Sequence, residues 1–346
     1  MSNGIKELAT VDLNEIVSNK GEYHPSPVKW EDQVLYFLML DRFSDNSERD
    51  YKDNENNIEY NGETPPYSLD QDGNALVNAE QWREAGNKWC GGNLKGLCSK
   101  IGYLKRLGIT AIWISPVLKQ VDIYNTYHGY GTQNFLDIDG NFGTKEDFIE
   151  LVKEAHNNKI YVILDIILNH TGDVFEYKNG NRCYENDIQF PVENYRDANG
   201  DLLIPFSKNV SDEYFPEGAI WPKELQDPQT FSRKGEISDW NAYPETLNGD
   251  FPHPEGLYEL RDIKLGEGSI ECYSRSESLK YLCKIYSYWI AYTDIDGIRL
   301  DTVKHMDEGA TRFFCSVIHE FAQSIGKVNF YLISEDTDGR ETAFKR

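Results

Sequence analysis

The chain has 346 residues, and 35 Lys and Arg against 58 Asp and Glu leave it a formal net charge of −23. Such a field repels polyanions, which excludes nucleic acid and anionic membrane surfaces as partners. With 39% hydrophobic and 13% aromatic residues it is too apolar for a disordered chain, and its length suits one large domain with an insertion or two domains.

The start, Met1 to Leu8, lacks the basic and then apolar stretches of an export signal, and no apolar run is long enough to span a membrane. Cys90, Cys98, Cys183, Cys272, Cys283 and Cys315 show no CxxC spacing, which argues against a zinc site and for reduced thiols in the cytoplasm.

Residues 1–30 read as an N-terminal extension. Apolar runs at 34–40, 109–115 and 160–168 predict strands buried on both faces. The segment 44–92 is polar, acidic and turn-rich, with Pro65-Pro66, and reads as a surface excursion. Leu94, Leu97, Cys98, Ile101, Leu104 and Leu107 recur at helical spacing before the second strand. Phe148, Leu151, Val152 and Ala155 do so before the third, behind Thr144 as N-cap.

Residues 171–262 break the rhythm. They are irregular, acidic and rich in aromatics (Tyr177, Tyr184, Phe206, Tyr214, Phe215, Trp221, Trp240), and too long for a loop, so an inserted subdomain is expected. A helix bearing Leu279, Leu282, Tyr286 and Trp289 then leads to a strand at 296–301. A second, bearing Ala310, Phe313, Phe314, Val317, Ile318 and Phe321, leads to a strand at 329–335. No internal repeat or low-complexity tract occurs. The alternation predicts an α/β fold of five parallel βα units at 31–170 and 263–346, either a doubly wound sheet or a (β/α)8 barrel short of its last three units.

Three of these strands end in or near a carboxylate: Asp165, Asp301 and Glu335. In parallel α/β folds the site lies at the carboxyl ends of the strands, so the three converge. Alternation along a strand puts Arg299 beside Asp301 and Asp165 on the face of Asn169. A neighbouring Arg keeps one carboxylate charged, and a second carboxyl in a less polar setting keeps its proton, the division of labour that glycosidic bond cleavage needs. A lone strand-end Asp is most often a cap or turn residue. Three on consecutive strands, one behind an Arg, point to a site. The aromatics at 171–262 either stack on sugar faces or form the core of that segment.

At these residues the sequence resembles the α-amylase family, glycoside hydrolase family 13. Asp165-Ile-Ile-Leu-Asn169-His170, Gly297-Ile-Arg299-Leu-Asp301-Thr-Val-Lys304-His305 and Ile333-Ser-Glu335 are similar to its first three motifs, in order. Asp41-Arg-Phe43, Gly91-Gly-Asn-Leu-Lys-Gly96, Ile112-Trp-Ile-Ser-Pro116 and Tyr127-His-Gly-Tyr130 agree, so the resemblance covers roughly 30–340 and is weakest in the insertion. It implies a TIM (β/α)8 barrel with the insertion after the third strand. It also implies a retaining hydrolase of α-1,4-glucans acting by double displacement.

The resemblance makes Asp301 the nucleophile, Glu335 the general acid/base and Arg299 the residue that orients the nucleophile. His128 and His170 become sugar-hydroxyl ligands and Tyr130 the aromatic platform. Lys304 and His305 line the leaving-group side, and Asp165 is a supporting aspartate. It implies a structural calcium ion on Asn169, Asp262 and the backbone carbonyl of His305. The loop from Asp45 to Asp50 is a weaker calcium candidate that reads better as a solvated acidic turn. His24, His156, His253 and His319 lack motif context and are expected to be structural or surface residues.

Three departures stand out. Lys264 replaces a neutral or acidic residue of the substrate-selecting motif. The family's fourth motif, a His-Asp pair, has no counterpart. The usual C-terminal β-domain is missing too. A fragment of a longer enzyme is therefore expected, with an open barrel and little turnover by itself. The alternatives within the fold are transglycosylases or isomerases acting on maltose, sucrose or trehalose. Outside catalysis they are an inactive glucan-binding fragment and a non-catalytic relative like the ectodomains of amino-acid transporter heavy chains.

Overall fold

The computed structural model describes residues 6–63 and 86–336, apart from 181, 212, 216, 240–246 and 253–258. Trp240 and His253 therefore lie outside the described residues. Five strands, β1 (Leu35–Leu38), β2 (Ala111–Ile114), β3 (Tyr161–Ile166), β4 (Gly297–Leu300) and β5 (Tyr331–Ser334), pair in parallel in that order. Spatial order follows chain order without the reversal that a doubly wound sheet requires, which removes that alternative.

The helices are α1 (Leu13–Lys20), α2 (Leu94–Ser99), α3 (Ile101–Leu107), α4 (Lys145–Asn157), α5 (Glu277–Thr293) and α6 (Glu308–Ser324), and α1 packs on α5. α2 packs on α4, α4 on α5, and α5 on α6. Thr144 caps α4 as expected: its hydroxyl accepts from the Asp147 amide, while the Asp147 carboxylate accepts from the Thr144 amide.

Two expectations need correction. The helix expected from Leu94 to Leu107 is broken at Lys100 into α2 and α3. The Asn54 side chain enters the ladder there: the Gly102 amide donates to Asn54 Oδ1 and Asn54 Nδ2 donates to the Cys98 carbonyl, replacing the bond those two would make. β1 was expected to be buried on both faces, yet Leu35 and Phe37 are 42% and 45% exposed. Alternation puts these two side chains on the face of Trp113, whose ring centroid lies 4.4 Å from that of Phe37, and away from the buried Leu38.

One hydrophobic core runs from the helices through the sheet and on into Phe175, Tyr177, Tyr195, Trp221 and Phe231. Of the aromatics noted between 171 and 262, Tyr177 and Trp221 are buried and Phe206 and Phe215 pack against that core, whereas Tyr214 is exposed. At its centre Arg261, fully buried, holds Asp173 through two nitrogens at 2.6 and 3.0 Å and Asp250 at 3.3 Å.

At the amino end of the sheet the segment before β1 is strapped down. Lys327 Nζ lies 2.9 Å from Asp296 and 2.7 Å from Asp294, and donates to the His24 carbonyl. The His24 ring stacks on that of His156, whose Nε2 is 2.8 Å from Asp296. Among the described residues, His24, His156 and Asp296 form the one group of three such side chains with ligand atoms within 4.8 Å of each other. Lys327 already supplies its cation.

Candidate active site

The parallel register gathers the predicted carboxylates. Arg299 pairs with Asp165 across β4 and β3, and the ladder runs on past the strand ends: the Asp301 amide donates to Ile166 and the Glu335 amide to Leu300. Arg299 Nη1 lies 3.0 Å from Asp165 Oδ1 and 2.6 Å from Asp301 Oδ1, and Nη2 lies 3.2 Å from Glu335 Oε2. One guanidinium therefore grips all three acids.

The chain then turns sharply. Thr302 has φ 53°, a left-handed conformation uncommon for a β-branched residue, and its amide donates to Glu335 Oε2 at 3.0 Å. Asp165, with no exposure, also accepts from Trp113 Nε1 at 3.0 Å and from the Tyr130 hydroxyl at 3.1 Å. Tyr130 and His128 share a tight turn closed by Gly129, at φ 88°, where a Cβ would sit 2.1 Å from the Pro116 carbonyl. The Tyr130 amide donates to His128 Nδ1, and the two rings stack with centroids 5.7 Å apart.

Charge crowding shifts the titrations. Burial pushes Asp165 up to about 7, against the pull of Arg299, Trp113 and Tyr130. Burial, and then Asp165, push Asp301 well above the usual carboxylate range, with Arg299 opposing them and Glu335 adding to them. Burial and the Asp165 charge raise the Tyr130 phenol, so it remains a hydroxyl donor. Burial would lower Arg299, but Asp165 and Asp301 outweigh it and hold the guanidinium charged.

The remaining predicted residues lie around this cluster. Burial drives His170 down to about 3, with His305 and His128 adding to the effect and the Tyr130 backbone opposing it, so its imidazole is neutral. Phe251 bridges the two rings, 5.7 Å from His170 and 4.7 Å from His305. Lys304 is buried. Lys264 stands farther out, 3.8 Å from Glu267. The acidic turn at Asp45 is tied by its own backbone, Asp45 Oδ1 accepting from the Ser47 amide.

Two of the three proposed calcium ligands, Asn169 and Asp262, are neighbours. Asp262 pairs with His170 in a short antiparallel ladder, and the Ile263 amide donates to the Asn169 carbonyl. Asp262 Oδ2 and Asn169 Nδ2 are buried and have no hydrogen-bond partner among the described residues. Burial, with Asp250 and Asp307 nearby, raises Asp262 well above its ordinary range. An orphaned buried carboxylate oxygen among like charges fits a hard cation, and Asn169 would offer its side-chain oxygen.

Trp113 and Thr302 were assigned no role from sequence, although both lie within the motifs quoted. Strand alternation was the signal for Trp113, because Phe37, Trp113 and Ile163 are in register one step below Asp165. No local pattern marks Thr302.

A family model described as the alpha amylase catalytic domain matches residues 37–315. The chain belongs to the alpha-amylase family. Among curated amylase relatives, it is 30% identical over 266 residues to an alpha-amylase of Streptomyces lividans, covering 71% of this chain and 27% of the relative. It is 29% identical over 310 residues to a cyclomaltodextrin glucanotransferase of Klebsiella oxytoca, covering 88% and 37%. A solved alpha-amylase from Geobacillus thermoleovorans, complexed with acarbose, superposes with a TM-score of 0.54 at 27% identity, over 90% of this chain and 48% of that one. The chain thus spans less than half the length of these relatives. The fold of an amylase catalytic domain is the TIM barrel, and the five strands in chain order agree with it.

Proposed function

We propose that this chain carries the catalytic centre of a retaining glycosidase that cleaves α-1,4-glucosidic bonds in starch-like glucans or maltooligosaccharides. The observation that carries the reading is Arg299 holding Asp165, Asp301 and Glu335 together at the strand ends. Asp165 and Asp301 on one guanidinium place negative charge where an oxocarbenium-like transition state develops positive charge, and Glu335 stands beside them as the proton donor.

In the first step an Asp301 oxygen attacks the anomeric carbon while Glu335 gives its proton to the departing glycosidic oxygen. In the second, Glu335 takes a proton from water, and that water breaks the ester between Asp301 and the sugar. Arg299 orients Asp301. Tyr130, His128 and His170 line the sugar, Lys304 and His305 the leaving-group side, and Asp165 supports the cluster. Asn169, Asp262 and the His305 carbonyl would hold calcium, whose chemistry there is structural: it ties 171–262 to the sheet.

In the same reading the five strands are the first units of the barrel, 171–262 is its inserted subdomain and 1–30 an N-terminal extension. The six cysteines, none of them disulfide-bonded among the described residues, suit a reducing compartment. No described helix is long and apolar enough to cross a membrane.

Transfer to a sugar hydroxyl in place of water is the second reading, favoured by the match to a relative named cyclomaltodextrin glucanotransferase. Incubation with maltoheptaose decides. Shortened oligosaccharides with one new reducing end per cleavage support hydrolysis, whereas lengthened or cyclic products with few new reducing ends support transfer. No change in the sugar at any enzyme concentration, with this chain and with a C-terminally extended version alike, refutes both.

A further inference from the structure

We propose that Trp113 is a positioning residue whose indole N–H holds Asp165 as an anion, so that Arg299 stays shared between Asp165 and Asp301. The catalytic consequence rests on the function proposed above; the hold on Asp165 does not.

Trp113 sits on β2, in register with Ile163 on β3, two residues before Asp165. From there its Nε1 reaches Asp165 Oδ2 at 3.0 Å, and its ring lies against the Arg299 guanidinium with Cζ 5.2 Å from the centroid. Phe37 braces the other side, ring centroids 4.4 Å apart. The indole thus touches both members of the Asp165–Arg299 pair and fixes their relative position.

Asp165 is inaccessible to solvent, so its charge depends on its donors. Among the described residues there are three: Arg299, Tyr130 and Trp113. Arg299 is contested by Asp301 at 2.6 Å and by Glu335 at 3.2 Å. Tyr130 can reverse its hydroxyl and accept a proton from a neutral Asp165. The indole N–H donates only, so it cannot accept from a neutral Asp165, and its bond to Oδ2 is stronger to a carboxylate than to the carbonyl oxygen of the acid. Trp113 is therefore the neutral neighbour that discriminates against the acid form.

If Asp165 were neutral, Arg299 would lose one of two charge-assisted bonds and swing toward Asp301 and Glu335. The groups facing Asp165 are Tyr130 from the turn after β2, Arg299 and Asp301 from β4, Glu335 beyond β5 through Arg299, and Tyr286 from α5, whose hydroxyl donates to the Ile167 carbonyl. Burial carries Asp165 up to about 7, with Trp113 among the groups resisting, so a lost donor is felt near neutral pH.

The test uses Trp113→Phe, which keeps an aromatic ring, and Trp113→benzothienylalanine, which replaces only the N–H by sulfur. Asp165 is titrated by carbon-13 NMR of labelled aspartate, assigned with Asp165→Asn, and thermal unfolding checks folding. The expected result is a rise of about one pH unit or more in the Asp165 midpoint in both variants, the size of one charge-assisted hydrogen bond. The acid limb of kcat/KM on maltoheptaose should move up equally, with the rate restored at higher pH.

An unmoved Asp165 midpoint in the folded benzothienylalanine protein overturns the proposal. So does a loss of rate that is uniform in pH with that midpoint unchanged. If neither this chain nor a C-terminally extended version turns over glucan, the functional reading fails and the titration alone decides the role of Trp113.

Discussion

Replacing Arg261 by Met tests whether the buried ion network fastens residues 171–262 to the sheet. Arg261 has no exposure and binds Asp173 and Asp250, both also buried. Asp173 retains Arg196 at 3.0 Å, but among the described residues Asp250 keeps only neutral partners for its side chain, the Tyr177 hydroxyl at 2.6 Å and the Asp262 amide at 2.9 Å. Removing one partner of a buried pair costs about 3–5 kcal/mol, because the remaining charge is uncompensated. With an unfolding entropy of roughly 2.1 cal/mol/K per residue over 346 residues, that lowers Tm by about 4–7 °C. Scanning calorimetry at neutral pH reads it. Adding Asp250→Asn should recover part of the loss, since it removes the stranded charge. An Arg261→Met protein melting within about 1 °C of the parent, or a double variant losing as much as the sum of the two singles, would refute the reasoning.

Three further outcomes follow from the same contacts. Asp301→Asn should lower kcat on maltoheptaose roughly 10⁴-fold or more with the fold intact, and Glu335→Gln should do the same for substrates with poor leaving groups. Asp296, which burial alone would raise, is held below the carboxylate range by Lys327, His156 and His24. Its contribution is therefore present above the unfolded pKa near about 4 and lost as pH falls through the folded value. Urea midpoints measured between about pH 2 and 5 should rise with pH in the parent and rise less in Asp296→Asn. Chelation should lower Tm in the parent and leave Asp262→Asn unmoved; equal melting with and without chelator in the parent would remove calcium from the account.

What the sequence made legible was what strand periodicity controls. Asp165, Arg299, Asp301 and Glu335 lie at alternating or terminal positions of apolar runs, and the parallel register brings them to one guanidinium. What it hid depends on contacts between distant residues. The break at Lys100 is made by Asn54, from a segment legible only as polar turn. Leu35 and Phe37 are as apolar as any buried strand, and nothing local to them tells that their face is exposed. His24 and His156 carried no motif, yet chain closure at the amino end of the sheet stacks them beside Asp296 and Lys327. Trp113 lay in a quoted motif, but only the register shows its indole reaching Asp165.

The central claim is that Asp301 forms a covalent bond to the sugar, and trapping that bond is its most direct measurement. With 5-fluoro-α-D-glucosyl fluoride, the C1–F bond breaks, fluoride leaves and an ester forms between the sugar and the nucleophile, slowly enough for mass spectrometry of the intact protein and its peptides. The account predicts one added fluoroglucosyl group per chain, on the peptide containing Asp301, and none in Asp301→Asn. A label on Glu335 or Asp165, or an unlabelled parent that still turns over maltoheptaose, would contradict it.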